Sequence, residues 1–226
     1  MDTHNLIRSV PIFSELEEST IKQIVDIGLI RKYTKNSIVF LEEEAGAILF
    51  IISTGKVKIV RTDDEGREVI LSILGPGDFF GEMALLDGMP RSATVVVLAA
   101  SELFVINRRE FIKLIEGSPQ VATSLLGELT RRLRKADTQI ENLSLKDAVG
   151  RVASVIIQIA DDSGKIKKGQ VYIDDFPLQQ DLANMAGTSR ETISRTIRQF
   201  MRLGYVDQQG NTFIINEYEK FKNIFS

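Results

Sequence analysis

Between Phe80 and Thr94 the sequence reads FGEMALLDGMPRSAT. One carboxylate, Glu82, and one guanidinium, Arg91, stand among small residues on what reads as a short loop. Gly81 and Gly88 allow backbone conformations that bulkier residues resist. Met83 and Ala84 follow the acid, and Ser92, Ala93 and Thr94 follow the arginine, leaving N–H and hydroxyl donors free. Arginine offers phosphate oxygens a planar fork of donors. A carboxylate only accepts, so it suits a sugar hydroxyl. The combination is chemistry for a small anion beside a hydroxyl. The plainer alternative is a surface Arg–Glu salt bridge, worth about 0–1 kcal/mol.

A second segment, Leu178 to Val206, reads LQQDLANMAGTSRETISRTIRQFMRLGYV. Two helices fit, over Leu178–Met185 and Ser189–Leu203, joined at Ala186-Gly187-Thr188. Gly187 permits the sharp turn and Ser189 can cap the second helix. This is the helix-turn-helix pattern, whose second helix enters the major groove of DNA. Arg190, Glu191 and Arg195 share one face of it. Arginine reads guanine O6 and N7, and glutamate accepts from cytosine N4. Thr192 and Thr196 are candidates for phosphate contact. Tyr205–Val206, Gly210 and Phe213–Ile215 predict a small hairpin wing. The alternative is an ordinary amphipathic helix with a solvated basic face.

The elements that must position these groups change character along the chain. Ser14 to Ile27 reads as a short amphipathic helix that Ser14 could cap. From about Leu29 to Asn107, short β-branched runs (Ser37–Leu41, Ile48–Ser53, Lys56–Arg61, Glu68–Leu74, Thr94–Leu98, Leu103–Ile106) alternate with turn signals, Thr54-Gly55 among them, which predicts an antiparallel roll. Arg108 to Glu116 reads as a helix ending at Gly117. A longer helix starts at Pro119 and runs to about Leu145, with apolar residues at Ala122, Leu126, Leu129, Leu133, Ala136, Ile140 and Leu143. That 4-3-4-3 spacing is a coiled-coil seam, and its simplest partner is the same helix of a second copy. Asp147 is placed to cap a helix over Ala148–Ala160; Asp161 to Gly169 reads as a loop and Val171–Ile173 as a short strand. The expected domains are 1–117, a dimerisation helix and hinge over 118–146, and 147–226.

Composition narrows the function further. The absence of cysteine excludes disulfides, thiolate zinc sites and cysteine-held iron–sulfur clusters, and the only histidine is His4, so no metal or haem is expected. No Ser/His or Cys/His set and no Walker loop is present, which argues against an enzyme. No apolar run approaches the roughly 20 residues that span a bilayer, and the N-terminus lacks a secretory pattern, so a cytoplasmic protein without membrane contact is expected. The formal net charge of −3 argues mildly against a nucleic-acid binder, but Ser189 to Leu203 holds four arginines and one acid.

Cassette, long helix, hinge and winged helix-turn-helix, in that order, resemble the CRP/FNR superfamily of bacterial transcription regulators over nearly the whole chain. The resemblance implies an α+β fold with an N-terminal antiparallel β-roll (a cyclic-nucleotide-binding jelly roll), a long dimerisation helix and a C-terminal winged helix-turn-helix. It implies that Gly81, Glu82, Met83, Ala84, Arg91, Ser92 and Ala93 hold a cyclic nucleotide, Glu82 at the ribose 2′-hydroxyl and Arg91 with Ser92 at the cyclic phosphate. GTSRETISR is similar to the family's recognition helix, implying DNA contact by Ser189, Arg190, Glu191, Thr192 and Arg195 at a palindromic site with G·C-containing half-sites. The implied dimer interface runs through Leu126, Leu129, Leu133, Ala136, Ile140 and Leu143, and RNA polymerase is an implied partner. In the cyclic AMP-responsive members, a threonine and a serine on the long helix hold adenine across the dimer. The matching positions here are Ala136 and Asp137, with Thr138 beside them. Asp137 could accept side by side from guanine's amine and ring N–H. The expected effector is therefore cyclic AMP, with cyclic GMP as the alternative. A ligand-independent factor of the same fold, and a regulatory subunit acting on a protein partner, are the competing readings.

Overall fold

The computed structural model describes residues 3–225. Two short helices, α1 (Thr3–Ser9) and α2 (Glu18–Ile27), precede the first strand. Helix α2 starts behind Glu17 without a side-chain cap. Ser14 does not cap it: its hydroxyl donates to the Pro11 carbonyl at 3.1 Å. Six strands follow: β1 (Leu29–Tyr33), β2 (Ile38–Phe40), β3 (Ile48–Thr62), β4 (Glu68–Leu74), β5 (Phe79–Phe80) and, after the short helix α3 (Glu82–Asp87), β6 (Thr94–Asn107). They pair antiparallel in the order β1-β6-β3-β4, with β2 on β6 and β5 on β3.

Two strands are longer than the sequence predicts. The turn expected at Thr54-Gly55 is a bulge inside β3, where the register against β6 shifts between Ile52, Thr54 and Lys56. Gly55 takes φ +93, and a Cβ there would lie 2.1 Å from Ser101 Oγ, so glycine here serves a close strand crossing rather than a chain reversal. The two runs expected at 94–98 and 103–106 likewise fuse into β6, because β3 provides a partner for both.

After the roll come α4 (Arg108–Gly117), capped by the Asn107 side chain, and α5 (Pro119–Leu145), which has the start and length its spacing predicts. Val121, Leu125 and Leu129 of α5 pack with α1, α2 and α4 on the roll's outer side, where Phe13, Phe79, Phe104 and Phe111 form one core. Phe50, Phe80, Val57, Val95 and Val97 fill the roll itself.

The chain divides into two compact units, Met1–Arg134 and Lys135–Ser226, and the division falls inside α5. Side-chain bonds explain this. Lys135 pairs with Asp162 at 2.7 Å and Ser154 donates to Asn142 at 3.3 Å, holding the end of α5 to the helix that follows.

That helix, α6 (Ala148–Ser163), is capped by Asp147, whose carboxylate accepts from Gly150 N–H at 2.8 Å. The second unit continues with β7 (Lys165–Lys167), β8 (Gln170–Ile173), α7 (Gln179–Ala186), α8 (Arg190–Arg202), β9 (Val206–Gln209), β10 (Thr212–Ile215) and α9 (Tyr218–Phe225). Its sheet has the order β7-β8-β10-β9. Strand β7 lies in what reads as a loop, and α9, unanticipated, packs Phe221 and Phe225 around Phe200. Among the described residues no helix is long and apolar enough to cross a membrane.

Candidate functional site

The roll's aromatic pairs bring the cassette into place. Phe80 of β5 stacks on Phe50 of β3 at 5.1 Å between ring centres, which sets Gly81 at the strand's end. Gly81 (φ +85) and Gly88 (φ +73) take left-handed conformations on either side of α3. Glu82 is therefore the first residue of a short helix rather than part of a loop. It is buried, and so is Arg91. The segment carrying Arg91 is held by the loop before β3: Glu43 N–H donates to the Arg91 carbonyl at 2.9 Å, and Arg91 N–H donates to the Glu44 carbonyl at 2.8 Å.

Glu82 and Arg91 do not pair with each other, so the surface salt-bridge alternative fails. Arg91 donates through Nη1 to the Gly81 carbonyl at 2.8 Å and through Nη2 to the Ile48 carbonyl at 2.9 Å. Its guanidinium lies 4.1 Å over the Phe40 ring. Nε is buried and, among the described residues, has no hydrogen-bond partner. Burial pulls the Arg91 guanidinium below its usual pKa, against the opposing pull of Glu82 and Glu44. Arg91 is thus a cation 5% exposed that carries an unmet donor and makes no ion pair among the described residues, an arrangement with the chemistry to accept an anion. Gly46 makes the arrangement fit: a Cβ there would lie 2.5 Å from Ala84 Cβ and 2.8 Å from Arg91 Nε.

The donors expected free beside Arg91 are partly engaged. Thr94 Oγ1 accepts from Glu42 N–H at 3.0 Å, and Ser92 Oγ lies 3.6 Å from the thioether of Met83, a weak partner that an anion could displace. Ala84 and Ala93 are buried and keep the segment close-packed. Gly81, Glu82, Met83, Ala84, Arg91, Ser92 and Ala93 thus converge. Ala136, Asp137 and Thr138 lie exposed on the part of α5 that belongs to the second unit.

The residue that sequence reading missed is Arg132. Its Nη1 donates to Glu82 Oε1 at 2.9 Å and its Nη2 to the Phe79 carbonyl at 2.7 Å, with the guanidinium 4.5 Å over the Phe79 ring. Glu128, buried one turn earlier, accepts from Arg132 Nε at 2.8 Å and from Arg131 at 2.7 and 2.9 Å. Burial raises the Glu128 carboxyl, but the two arginines together hold it below the usual carboxylate range. The i, i+3, i+4 spacing of Glu128, Arg131 and Arg132 is a readable signal; their meeting with Glu82 is not.

In the second unit the turn between α7 and α8 has Gly187 at φ +58, and Ser189 Oγ accepts from Thr192 N–H at 3.2 Å as the cap of α8. Ile193, Ile197 and Phe200 face the core, while Arg190, Glu191 and Arg195 are exposed together. Glu191's own N–H and the Ser189 hydroxyl hold its carboxyl below the usual range, keeping it an acceptor. Thr192 is half-buried, and Thr196, a candidate for phosphate contact, is 1% exposed and belongs to the core. Leu126, Leu133, Ile140 and Leu143 of the seam are exposed in the single chain. Ala136 is exposed as well, and Leu129 is half-buried against the first core.

Comparison with known proteins matches both halves. Residues 30–118 match the cyclic nucleotide-binding domain and residues 150–224 the Crp-like helix-turn-helix domain. The chain is 32% identical over 213 residues to the CRP-like cAMP-activated global transcriptional regulator of Mycobacterium tuberculosis, covering 92% of this chain and 93% of that protein. It is 33% identical over 212 residues to the cyclic AMP receptor protein of Thermus thermophilus, covering 93% and 94%. Among solved structures, the catabolite activator protein of Thermus thermophilus aligns at TM-score 0.55 and 32% identity over 95% of this chain and 97% of that one. A CooA mutant from Carboxydothermus hydrogenoformans aligns at TM-score 0.78 and 22% identity over 90% of each chain, a likeness of fold. The Mycobacterium tuberculosis relative is named a transcriptional regulator, not an enzyme. With a cyclic-nucleotide-binding β-roll, a long helix and a helix-turn-helix in one chain, the protein belongs to the CRP/FNR family of transcription regulators.

Proposed function

We propose that this protein is a cytoplasmic, homodimeric, sequence-specific DNA-binding regulator whose DNA affinity is set by a cyclic nucleotide in the β-roll. The observation that carries the ligand half is Arg91: a buried guanidinium with, among the described residues, an unmet Nε–H and no carboxylate partner, beside buried Glu82. Arg91 and Ser92 would hold the phosphate and Glu82 a ribose hydroxyl, with Gly81, Met83, Ala84 and Ala93 shaping the seat. The DNA half rests on Arg190, Glu191 and Arg195, exposed on one capped helix, with Ser189 and Thr192 at its start. Two copies would meet through the seam of α5, whose Leu126, Leu133, Ile140 and Leu143 are more than half exposed in the single chain. That geometry calls for a palindromic site with half-sites about 34 Å apart. RNA polymerase is the natural further partner of such a regulator. The domains of this reading are 1–117, 118–146 and 147–226.

Cyclic AMP is the expected effector, in keeping with relatives described as cAMP-activated. Asp137 favours cyclic GMP as a second reading, since an exposed carboxylate stands where those members place a hydroxyl. Calorimetry with each nucleotide, followed by DNA titration with and without it, tests both readings. Coupling of about 5–150-fold in DNA affinity is expected. DNA affinity that neither nucleotide changes would leave a ligand-independent factor.

A further inference from the structure

Arg151, half-buried in the first turn of α6, donates to three carbonyls. Nη1 reaches the Lys146 carbonyl at 3.0 Å, Nε the Ala186 carbonyl at 3.0 Å and Nη2 the Gly187 carbonyl at 3.3 Å. Lys146 directly follows the last residue of α5, and Ala186 is the last residue of α7. Helix ends leave carbonyls without intrahelical donors, and a cation there also meets the negative end of the helix dipole. One guanidinium therefore closes the ends of two helices. Its planar fork can serve three acceptors at once, which the single ammonium of lysine cannot do in the same geometry.

The neighbours of this clamp are engaged too. Lys146 Nζ donates to Ser154 Oγ at 3.0 Å and to the Phe225 carbonyl at 2.6 Å. Leu143 packs against the turn itself: a Cβ on Gly187 would lie 3.2 Å from Leu143 Cδ2. The last turn of α5 is thereby tied to α6, to α9 and to the turn that launches α8. Arg190 begins three residues beyond Gly187, so whatever holds that turn aims the exposed face of α8.

We infer that Arg151 is a positioning residue for base readout, fixing the helix-turn-helix turn to the end of the long helix. This rests on the DNA-reading function proposed above. Phosphate contacts made by flexible basic side chains tolerate a tilted helix, whereas hydrogen bonds to base edges do not. Loosening the clamp should therefore lower specific binding and leave non-specific binding in place.

The test compares the full-length protein with Arg151→Met, which keeps an unbranched apolar stem without donors, and with Arg151→Lys. A duplex is first enriched from a random library by the wild-type protein with cyclic AMP and cyclic GMP both present. Fluorescence anisotropy then measures binding to that duplex and to an unrelated one of equal length in the same salt. Arg151→Met should bind the enriched duplex about tenfold or more weakly and the unrelated duplex within about twofold of wild type. Arg151→Lys should fall between. An unchanged ratio overturns the inference. So does an equal loss on both duplexes accompanied by a lower melting temperature, which would make Arg151 a stability residue only. A wild-type protein that enriches no sequence removes the DNA-reading premise, and the inference with it.

Discussion

Arg132 Nη1 stands 2.9 Å from Glu82 Oε1, joining residues 50 apart in sequence and tying the cassette's acid to α5. Glu82 is buried, while a quarter of the Arg132 side chain reaches solvent. Arg132→Met should leave Glu82 as an uncompensated buried carboxylate and destabilise the first unit by about 2–3 kcal/mol. Urea unfolding followed by far-UV circular dichroism reads this. A midpoint equal to wild type would mean that the pair contributes nothing.

Arg91→Met makes a different prediction. Two carbonyls lose their donors and the guanidinium leaves the Phe40 ring, but a desolvated charge disappears. Stability should change by no more than about 1–2 kcal/mol. The rise in melting temperature that cyclic AMP or cyclic GMP gives the wild type should vanish. A nucleotide-dependent rise retained in the variant would rule Arg91 out as the anion's seat.

Acid should weaken the first unit through Glu128. Arg131 and Arg132 hold its carboxyl below the usual range, so its stabilising contribution is present above the unfolded pKa of about 4.3 and is lost as pH falls through the lower folded value. Asp78, which Arg131 and Arg132 also face, works the other way: burial raises its carboxyl, so acidification relieves a cost there. The stability gap between wild type and Glu128→Gln should therefore shrink between pH 7 and pH 3. Denaturant titrations across that range measure it; a gap independent of pH contradicts the assignment.

Glu43 adopts φ +69, a left-handed conformation that costs a residue with a Cβ about 1–2 kcal/mol. Its backbone N–H bonds the Arg91 carbonyl, so the turn is held in place regardless of side chain. Glu43→Gly removes the strain and loses about 0.5–1 kcal/mol to unfolded-state entropy. The net expectation is a gain of about 0.5–1 kcal/mol, visible as a higher urea midpoint. An unchanged or lower midpoint would show that the loop carries no strain.

Much of the site was legible because its signals are local. Gly81, Glu82, Arg91 and Ser92 lie within one segment, and Gly187 and Ser189 mark the turn and cap of the second motif by residue type alone. The misreadings also have local causes. Thr54-Gly55 has the composition of a turn, yet β6 pairs across it and makes it a bulge. Thr196 is polar by type, but its place between Ile193 and Ile197 on α8 turns it inward. Lys165–Lys167 is too short and polar to stand out as a strand until β8 lies beside it.

By itself the sequence determined the order of roll, long helix and helix-turn-helix, the residue types of the cassette, the seam spacing of α5 and the basic composition of α8. Periodicity, glycine placement and side-chain type act over a few residues, and these features need nothing more. Only the tertiary structure decided that Glu82 answers to Arg132, that Arg91 rests on two carbonyls with one donor unmet, and that Arg151 joins two helix ends. Each of those arrangements includes a contact between residues far apart in the chain, where hydrogen-bond geometry and burial follow from how strands and helices pack.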